Sequence, residues 1–198
     1  MKPTRALYSR RMERRKDRAK VLRSRVVYRG PVFYVVSDRV REPGGVEARR
    51  DIVRHSGSVV IMAVAEPGGR PPRILLVRQY RYAAGGLLWE LPAGRVDAGE
   101  SERAAARREL MEETGYTARR WRRALKFYAS PGFLDETHAV WMARDLRRGR
   151  ARPEEDEVIA LRFFPLGAAV RMVMNGRIAD GKTIAAVLWL ARQRRRRA

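Results

Sequence analysis

The chain has 198 residues, 45% of them hydrophobic, which suits one domain with a proper core, or one domain with a small accessory element. It has no cysteine, which excludes disulfides and thiolate metal sites and is typical of a cytoplasmic protein. No apolar run approaches the roughly 20 residues of a transmembrane helix, and no secretory signal is visible, so we expect no membrane partner.

The formal net charge of +22 is unevenly distributed. Residues 1–25 hold eleven Lys or Arg against Glu13 and Asp17, and the chain closes with Arg192 and then Arg194 to Arg197. Basic tails bind polyanions electrostatically, so we expect loose, salt-sensitive, non-specific adsorption to nucleic acid. Arginine far outnumbers lysine, which can also reflect genomic base composition, so a specific nucleic-acid function is the less favoured interpretation.

The N-terminal part divides into two segments. Residues 1–25 form a basic extension for which no definite structure is predicted, although a solvated helix is compatible with it. Residues 26–56 are predicted to form a small antiparallel β-unit, because three β-rich segments are separated by turns that contain Gly and Pro. Three short strands cannot bury much surface. We therefore expect this unit to pack against the main domain or against a second subunit.

Residues 57–198 are predicted to form the main domain, in which strands alternate with a few helices and so indicate an α/β fold. A first helix is expected between the N-cap Ser101 and the stop at Gly115. The other predicted elements are strands at 58–65, 74–81, 124–130, 138–143 and 158–164, and helices at 166–174 and 183–192. Residues 87–92 lead from a turn at Gly85 and Gly86 towards the first helix.

The first predicted helix carries a cluster of acids. Glu109, Glu112 and Glu113 are spaced i, i+3, i+4 and therefore project from one face. Like charges on one face repel each other, and a divalent cation would offset that repulsion, because hard ions such as Mg²⁺ bind carboxylate oxygens. The alternative is an acidic face exposed to solvent.

The spacing of this segment resembles the Nudix box. Eight residues match at fixed offsets, namely Gly94, Glu100, Arg108, Glu109, Leu110, Glu112, Glu113 and Gly115. The one departure is Tyr116, where the family usually has an aliphatic residue at a packing position. The resemblance implies a Nudix α/β/α sandwich with a mixed sheet. It also implies hydrolysis of nucleoside diphosphates linked to another group, with Mg²⁺ as the cofactor and Mn²⁺ as a substitute.

The resemblance assigns roles to the box residues. Glu109, Glu113 and Glu100 are the expected metal ligands, together with the backbone carbonyl of Ala93. Glu112 is placed among the catalytic residues, where it binds a further ion or a water on the metal. Arg108 is counted with the catalytic residues as well, and we expect it to pair with the box carboxylates rather than to touch substrate.

A second feature narrows the resemblance to one branch. Pro131 follows Gly115 by sixteen residues, a spacing that marks the ADP-ribose pyrophosphatase branch of the family. In that branch a glutamate on this loop acts as the catalytic base or completes the metal shell. Glu136 is the candidate, with Asp135 as the fallback. The alternative is an ordinary Pro-Gly turn with solvated acids.

The same branch implies a set of substrate-binding residues and a dimer. Arg81 and Arg50 match substrate-contacting arginines, and Glu90 is expected to bond the adenine or ribose edge. The small N-terminal sheet is typically exchanged between two subunits, so we expect a homodimer. Phe33 or Tyr34 then either stacks on adenine or belongs to the core. Asp180, in the segment 176–186, is expected to cap the C-terminal helix.

The expected function is therefore Mg²⁺-dependent hydrolysis of ADP-ribose to AMP and ribose 5-phosphate. Another nucleoside diphosphate sugar as substrate is the nearest alternative. A protein that associates with RNA through its basic tails is the alternative outside the enzyme class. A silent nucleotide-binding module is disfavoured, because every acid of the box is present.

Overall fold

The computed structural model describes residues 18–68, 70–149 and 160–195, and these fall into two units. The first unit contains residues 18–55 and 130–136, and the second contains the other described residues. Among the described residues, no helix is long and apolar enough to cross a membrane.

The first unit is built on a three-stranded antiparallel sheet, with strands β1 (Lys20–Arg29), β2 (Tyr34–Arg41) and β3 (Glu47–Arg54) in that order. Every residue of β1 is exposed, whereas β2 alternates and buries Val36 and Val40. Strand β1 begins six residues before the predicted start of the β-unit, because backbone pairing with β2 rather than an apolar pattern defines it. Residues 1–17 of the predicted extension lie outside the described residues.

The segment 130–136 belongs to the first unit because it bonds along β3. The N–H of Val53 donates to the carbonyl of Phe133 at 2.8 Å, and the N–H of Asp135 donates to the carbonyl of Val53 at 3.1 Å. The Arg54 guanidinium then pairs with Asp135 at 3.1 Å and with the buried Asp38 at 3.3 Å. These bonds fix the loop that carries the predicted base.

The second unit contains a seven-stranded mixed sheet. Its main path is β10-β5-β4-β9-β8, with β6 paired to β5 and β7 to β4. The β4–β9 pair is parallel and the other pairs are antiparallel. The strands are β4 (Ser58–Ala65), β5 (Arg73–Arg81), β6 (Gly86–Glu90), β7 (Ala93–Arg95), β8 (Tyr116–Tyr128), β9 (Thr137–Arg148) and β10 (Ala160–Pro165).

Helices cover both faces of this sheet. They are α1 (Glu102–Thr114), α2 (Leu166–Met174) and α3 (Gly181–Arg195). The central strand β4 sends alternate side chains to opposite faces. Val59, Ile61 and Ala63 lie in one cluster with residues of α1, and Val60, Met62 and Val64 lie in the other with residues of α2 and α3. The predicted α/β/α sandwich with a mixed sheet is confirmed.

The ends of α1 follow the predicted local chemistry. The Ser101 hydroxyl accepts the N–H of Ala104 at 3.2 Å, which satisfies one free donor of the first turn. Gly115 ends the helix in the left-handed region, with φ at 71°. The helix that carries the acids therefore has two fixed ends.

Candidate active site on the acidic helix

The loop from β7 into α1 starts at the centre of the sheet. Ala93 pairs with Val60 and Gly94 pairs with Val59, so the beginning of the box is held by the buried strand β4. The Glu109 carboxylate packs so closely on Gly94 that an added β-carbon would overlap it. Only glycine fits this approach of backbone to carboxylate.

Arg108 lies among the box carboxylates. Its Nη1 donates to Glu109 at 2.6 Å and to Glu112 at 3.1 Å, and its Nη2 and Nε donate to Glu100 at 3.0 and 3.3 Å. The Nη2 group also donates to the backbone carbonyl of Arg95 at 3.0 Å, which ties the helix to the loop. The pairing predicted for Arg108 is present in the structure.

These contacts shift the pKa values of Arg108 and Glu100. The hydrogen bond from Arg108 holds the pKa of the Glu100 carboxyl below its ordinary value. The same bond, together with the charge of Glu109, raises the pKa of Arg108. Both groups therefore stay charged at neutral pH, and the loop remains bonded to the helix.

Glu113 is the most buried of the box acids, with 5% of its surface exposed. Its negative charge contributes to the raised pKa of Arg81, after the larger contribution of the hydrogen bond from Arg81 to Glu90. Arg81, at the end of β5, therefore interacts electrostatically with an acid of α1.

The donor chemistry of this site suits a divalent cation. Glu100, Glu109 and Glu112 present carboxylate oxygens around one positive centre, and such oxygens are the ligands that Mg²⁺ prefers. Within residues 18–68, 70–149 and 160–195, no three acidic or histidine side chains are arranged so that they could hold a metal. The carboxylates surround Arg108 instead, so a cation would have to compete with its guanidinium.

Arg81 and Glu90 form a bidentate pair, with Arg81 Nε and Nη2 at 2.9 and 3.0 Å from the two Glu90 oxygens. Glu90 is 1% exposed, and its carboxylate also accepts from Lys182 at 2.6 Å. Burial opposes ionisation of Glu90, but the bonds from Arg81 and Lys182 outweigh it and lower the pKa of this carboxyl. The structure thus favours a role for Glu90 in holding Arg81 over a direct bond to the substrate.

The start of α3 contributes residues that sequence reasoning missed. The predicted cap is confirmed, since Asp180 Oδ2 accepts the N–H of Thr183 at 3.0 Å. No motif in the sequence predicts a role for Lys182 or Thr183, yet both side chains bond to the end of β6, at Glu90 and Leu91. In the sequence, these two residues are marked by their position shortly after the predicted cap Asp180.

The first unit carries the remaining predicted residues, Arg50 and Glu136. Arg50 is half-exposed and pairs with Glu42 at 2.8 Å. Glu136 Oε1 lies 3.7 Å from Nδ1 of His55, a residue that sequence reasoning also missed. Asp135 is engaged with the Arg54 guanidinium and with the backbone N–H of His55 at 2.9 Å.

Comparisons with known proteins agree with this architecture. Residues 54–187 match the model of the NUDIX domain. The chain is 39% identical over 168 residues to an ADP-ribose pyrophosphatase of Mycobacterium tuberculosis, covering 83% of this chain and 79% of that protein. It is 34% identical over 173 residues to an ADP-ribose pyrophosphatase of Bacillus subtilis, covering 86% and 91%.

A solved structure supports the fold. The crystal structure of an ADP compounds hydrolase superposes with a TM-score of 0.77 at 21% identity, over 91% of this chain and 96% of that one. Nudix enzymes generally use divalent cations, in keeping with the carboxylate donors on α1. The domain match, the two relatives and the box on α1 together place this chain in the Nudix hydrolase family.

Proposed function

We propose that the protein is a Mg²⁺-dependent pyrophosphatase that hydrolyses ADP-ribose to AMP and ribose 5-phosphate. The observation that carries this proposal is the cluster of box carboxylates, three of which lie within 3.3 Å of the Arg108 guanidinium on α1. Carboxylate oxygens suit Mg²⁺, and the guanidinium of Arg81, held by Glu90, suits a diphosphate. The two related ADP-ribose pyrophosphatases support the choice of substrate.

The box residues would hold the cation. Glu100, Glu109 and Glu113 are the proposed side-chain ligands, with the carbonyl of Ala93 as a fourth donor and Glu112 beside them. When bound, Mg²⁺ supplies positive charge that neutralises the diphosphate and polarises an attacking water. Mn²⁺ has similar ligand preferences and is the proposed substitute.

The remaining residues bind substrate and move a proton. Arg81 contacts the diphosphate or a ribose, and Glu90 holds it in place through two hydrogen bonds. Arg50 is the second proposed substrate contact. Glu136 takes the proton of the attacking water. The Asp135 carboxylate bonds Arg54 and the backbone of His55, which assigns Asp135 to holding the loop.

A homodimer is part of this proposal. Strand β1 is fully exposed, and its apolar side chains are 38–53% exposed. They are Val21, Leu22, Val26, Val27 and Tyr28. Such apolar surface on a small sheet indicates a protein contact. A second copy of the chain is the proposed partner, and the cysteine-free composition supports a cytoplasmic location.

The proposal is tested by incubating the protein with ADP-ribose and Mg²⁺ and measuring AMP. Glu113→Gln should lower kcat by at least about a hundredfold, because a buried metal ligand loses its charge. The matched control is Glu102→Gln on the same helix, whose carboxylate pairs with Arg123 and Lys126 outside the box. Absence of turnover by the wild type, or full turnover by Glu113→Gln, would contradict the proposal.

The nearest alternative substrate is another nucleoside diphosphate sugar. A panel of such compounds, measured under the same conditions, separates the two substrates by the ratio of their kcat/KM values. If another member of the panel has a higher kcat/KM than ADP-ribose, that compound is the preferred substrate, and the proposed reaction class is unchanged.

A second, accessory activity is binding of polyanions. The predicted basic tails largely lie outside the described residues, but the second unit has its own basic surface. One groove is lined by Arg103, Arg119, Arg120, Trp121, Arg122, Met142 and Arg144. A second groove shares Arg122, Met142 and Arg144 and adds Arg194. We call these two adjoining grooves together the arginine groove. Its guanidinium groups favour salt-sensitive contact with phosphate backbones.

A further inference from the structure

A ring of hydrogen bonds joins the end of β6 to the first turn of α3. Lys182 Nζ donates to Glu90 at 2.6 Å and to Asp180 at 2.9 Å. The Thr183 hydroxyl donates to Asp180 at 2.5 Å and accepts the backbone N–H of Leu91 at 2.8 Å. Because Glu90 and Leu91 are adjacent in the chain, the ring is closed. We call these five residues the β6–α3 clasp.

The clasp is buried and charged. Glu90 and Thr183 are 1% and 0% exposed, and the side chains of Lys182 and Asp180 are 13% and 15% exposed. Taking ions out of water costs several kcal/mol each, and apolar replacements of buried ion pairs are often neutral or stabilising. Stability alone therefore does not account for placing one ammonium group and two carboxylates at this junction.

The clasp has two arms, and each leads to a different part of the site. In the first, Lys182 holds the Glu90 carboxylate, which fixes Arg81 through its Nε and Nη2 groups. In the second, the Thr183 hydroxyl fixes the N–H of Leu91, two residues before Ala93. The first arm thus ends at the proposed substrate contact and the second at the proposed metal loop.

We propose that Lys182 and Thr183 are positioning residues with separate tasks. Lys182 orients Arg81 for the substrate through Glu90. Thr183 fixes the backbone that carries the Ala93 carbonyl. The inference rests on the proposed function, since that function assigns Arg81 to the substrate and Ala93 to the metal.

The two tasks predict a split between two measurements. Lys182→Met should raise KM for ADP-ribose about tenfold, while the Kd for Mn²⁺ changes less than about threefold. Thr183→Val should weaken Mn²⁺ binding about tenfold, as loss of an outer partner of a metal site does, with KM at saturating Mn²⁺ nearly unchanged. Mn²⁺ binding is read by electron paramagnetic resonance of the free ion, in the absence of substrate.

Matched controls separate positioning from general damage. Lys126→Met is the same substitution in a Lys–Glu pair outside the clasp, where Lys126 lies 2.7 Å from Glu102, against 2.6 Å between Lys182 and Glu90. It should leave both measurements unchanged. Thr183→Ser keeps the hydroxyl that Thr183→Val removes, so its Mn²⁺ affinity should equal that of the wild type. If circular dichroism shows that Lys182→Met does not fold, Lys182→Gln is measured with the same expected direction.

The proposal is overturned if Lys182 and Thr183 variants move KM and Mn²⁺ affinity in parallel, or if both behave like Lys126→Met. Failure of the proposed function is a separate result. A wild-type protein that does not hydrolyse ADP-ribose contradicts that function, and the Mn²⁺ measurement still decides the role of Thr183.

Discussion

The carboxylate of Glu109 lies against the α-carbon of Gly94, in the space where any other residue would place its β-carbon. Gly94→Ala should therefore push Glu109 away from its position beside the loop. A misplacement of about 1 Å can cost about a hundredfold in rate, so we expect kcat for ADP-ribose to fall by at least that factor.

Gly44→Ala is the matched control for this variant, because a β-carbon there meets no atom within 4 Å. Circular dichroism should be the same for both variants, because the added β-carbon would overlap the terminal carboxylate of the Glu109 side chain and not the backbone. Normal turnover of Gly94→Ala would mean that the Glu109 carboxylate is free to move without loss of function.

Arg108 separates carboxylates that would otherwise repel each other. Arg108→Ala should lower stability by about 1–2 kcal/mol, or Tm by about 2–8 °C, because four partly exposed ion pairs are lost. Saturating Mg²⁺ should shrink this deficit, because the cation replaces the missing positive charge. Thermal scans with and without Mg²⁺ measure both effects.

The control for Arg108 is Arg120→Ala, which removes the exposed bidentate pair between Arg120 and Asp145. Its Tm deficit should not respond to Mg²⁺. If Mg²⁺ leaves the deficit of Arg108→Ala unchanged as well, the carboxylates around Arg108 do not bind the cation.

Local sequence patterns predicted the elements whose bonds are local. The helix α2 was predicted with its observed bounds, and α1 was predicted from Ser101 and Gly115, because helix ends depend on residues a few positions apart. The first half of β8 was missed, since Tyr116 to Arg123 is rich in arginine and lacks apolar alternation. Pairing with β9 defines that half as a strand.

The same distinction holds at the site. The box residues lie on one helix and the loop before it, so their spacing was enough to predict the contacts of Arg108. Lys182 is 92 residues from Glu90, and Thr183 is 92 residues from Leu91. Their contacts depend on how α3 packs at the end of β6, which no local pattern in the sequence records.

The Glu90 carboxyl should give a pH-dependent contribution to stability. Its pKa is lowered from the ordinary value of 4.5, so it binds fewer protons in the folded state than in the unfolded state. The stabilisation is therefore present above about pH 4.5 and is lost as the pH falls through the lower, folded-state value. Glu90→Gln should be less stable than the wild type at pH 7 by about 2 kcal/mol.

The measurement is Tm of both proteins from pH 7.5 to pH 3.5. The difference between them should be constant near neutral pH and should shrink as the wild-type carboxyl takes up a proton. A difference that stays constant over the whole range would show that it does not come from the ionisation of Glu90.

The exposed apolar face of β1 predicts self-association. Val26 and Tyr28 are 45% and 52% exposed, and a charge on either should oppose burial against a second copy. Val26→Asp and Tyr28→Asp should shift the mass measured by light scattering from dimer to monomer. The control is Leu87→Asp, at a 53% exposed site in the second unit, which should remain dimeric. A monomeric wild type would contradict the prediction.

The arginine groove predicts a binding surface for single-stranded RNA that does not depend on the tails. Arg119→Glu combined with Arg122→Glu should weaken binding of a fluorescent oligonucleotide by at least about tenfold at low salt. The slope of log K against log salt should fall by about 1–2, because each lost phosphate contact removes about 0.7 for a single strand. The control pair is Arg171→Glu with Arg177→Glu, which makes the same charge change at exposed arginines outside the groove. Since all variants keep both tails, equal weakening by the two pairs would assign the binding to overall charge, and a selective loss in the first pair would assign it to the groove.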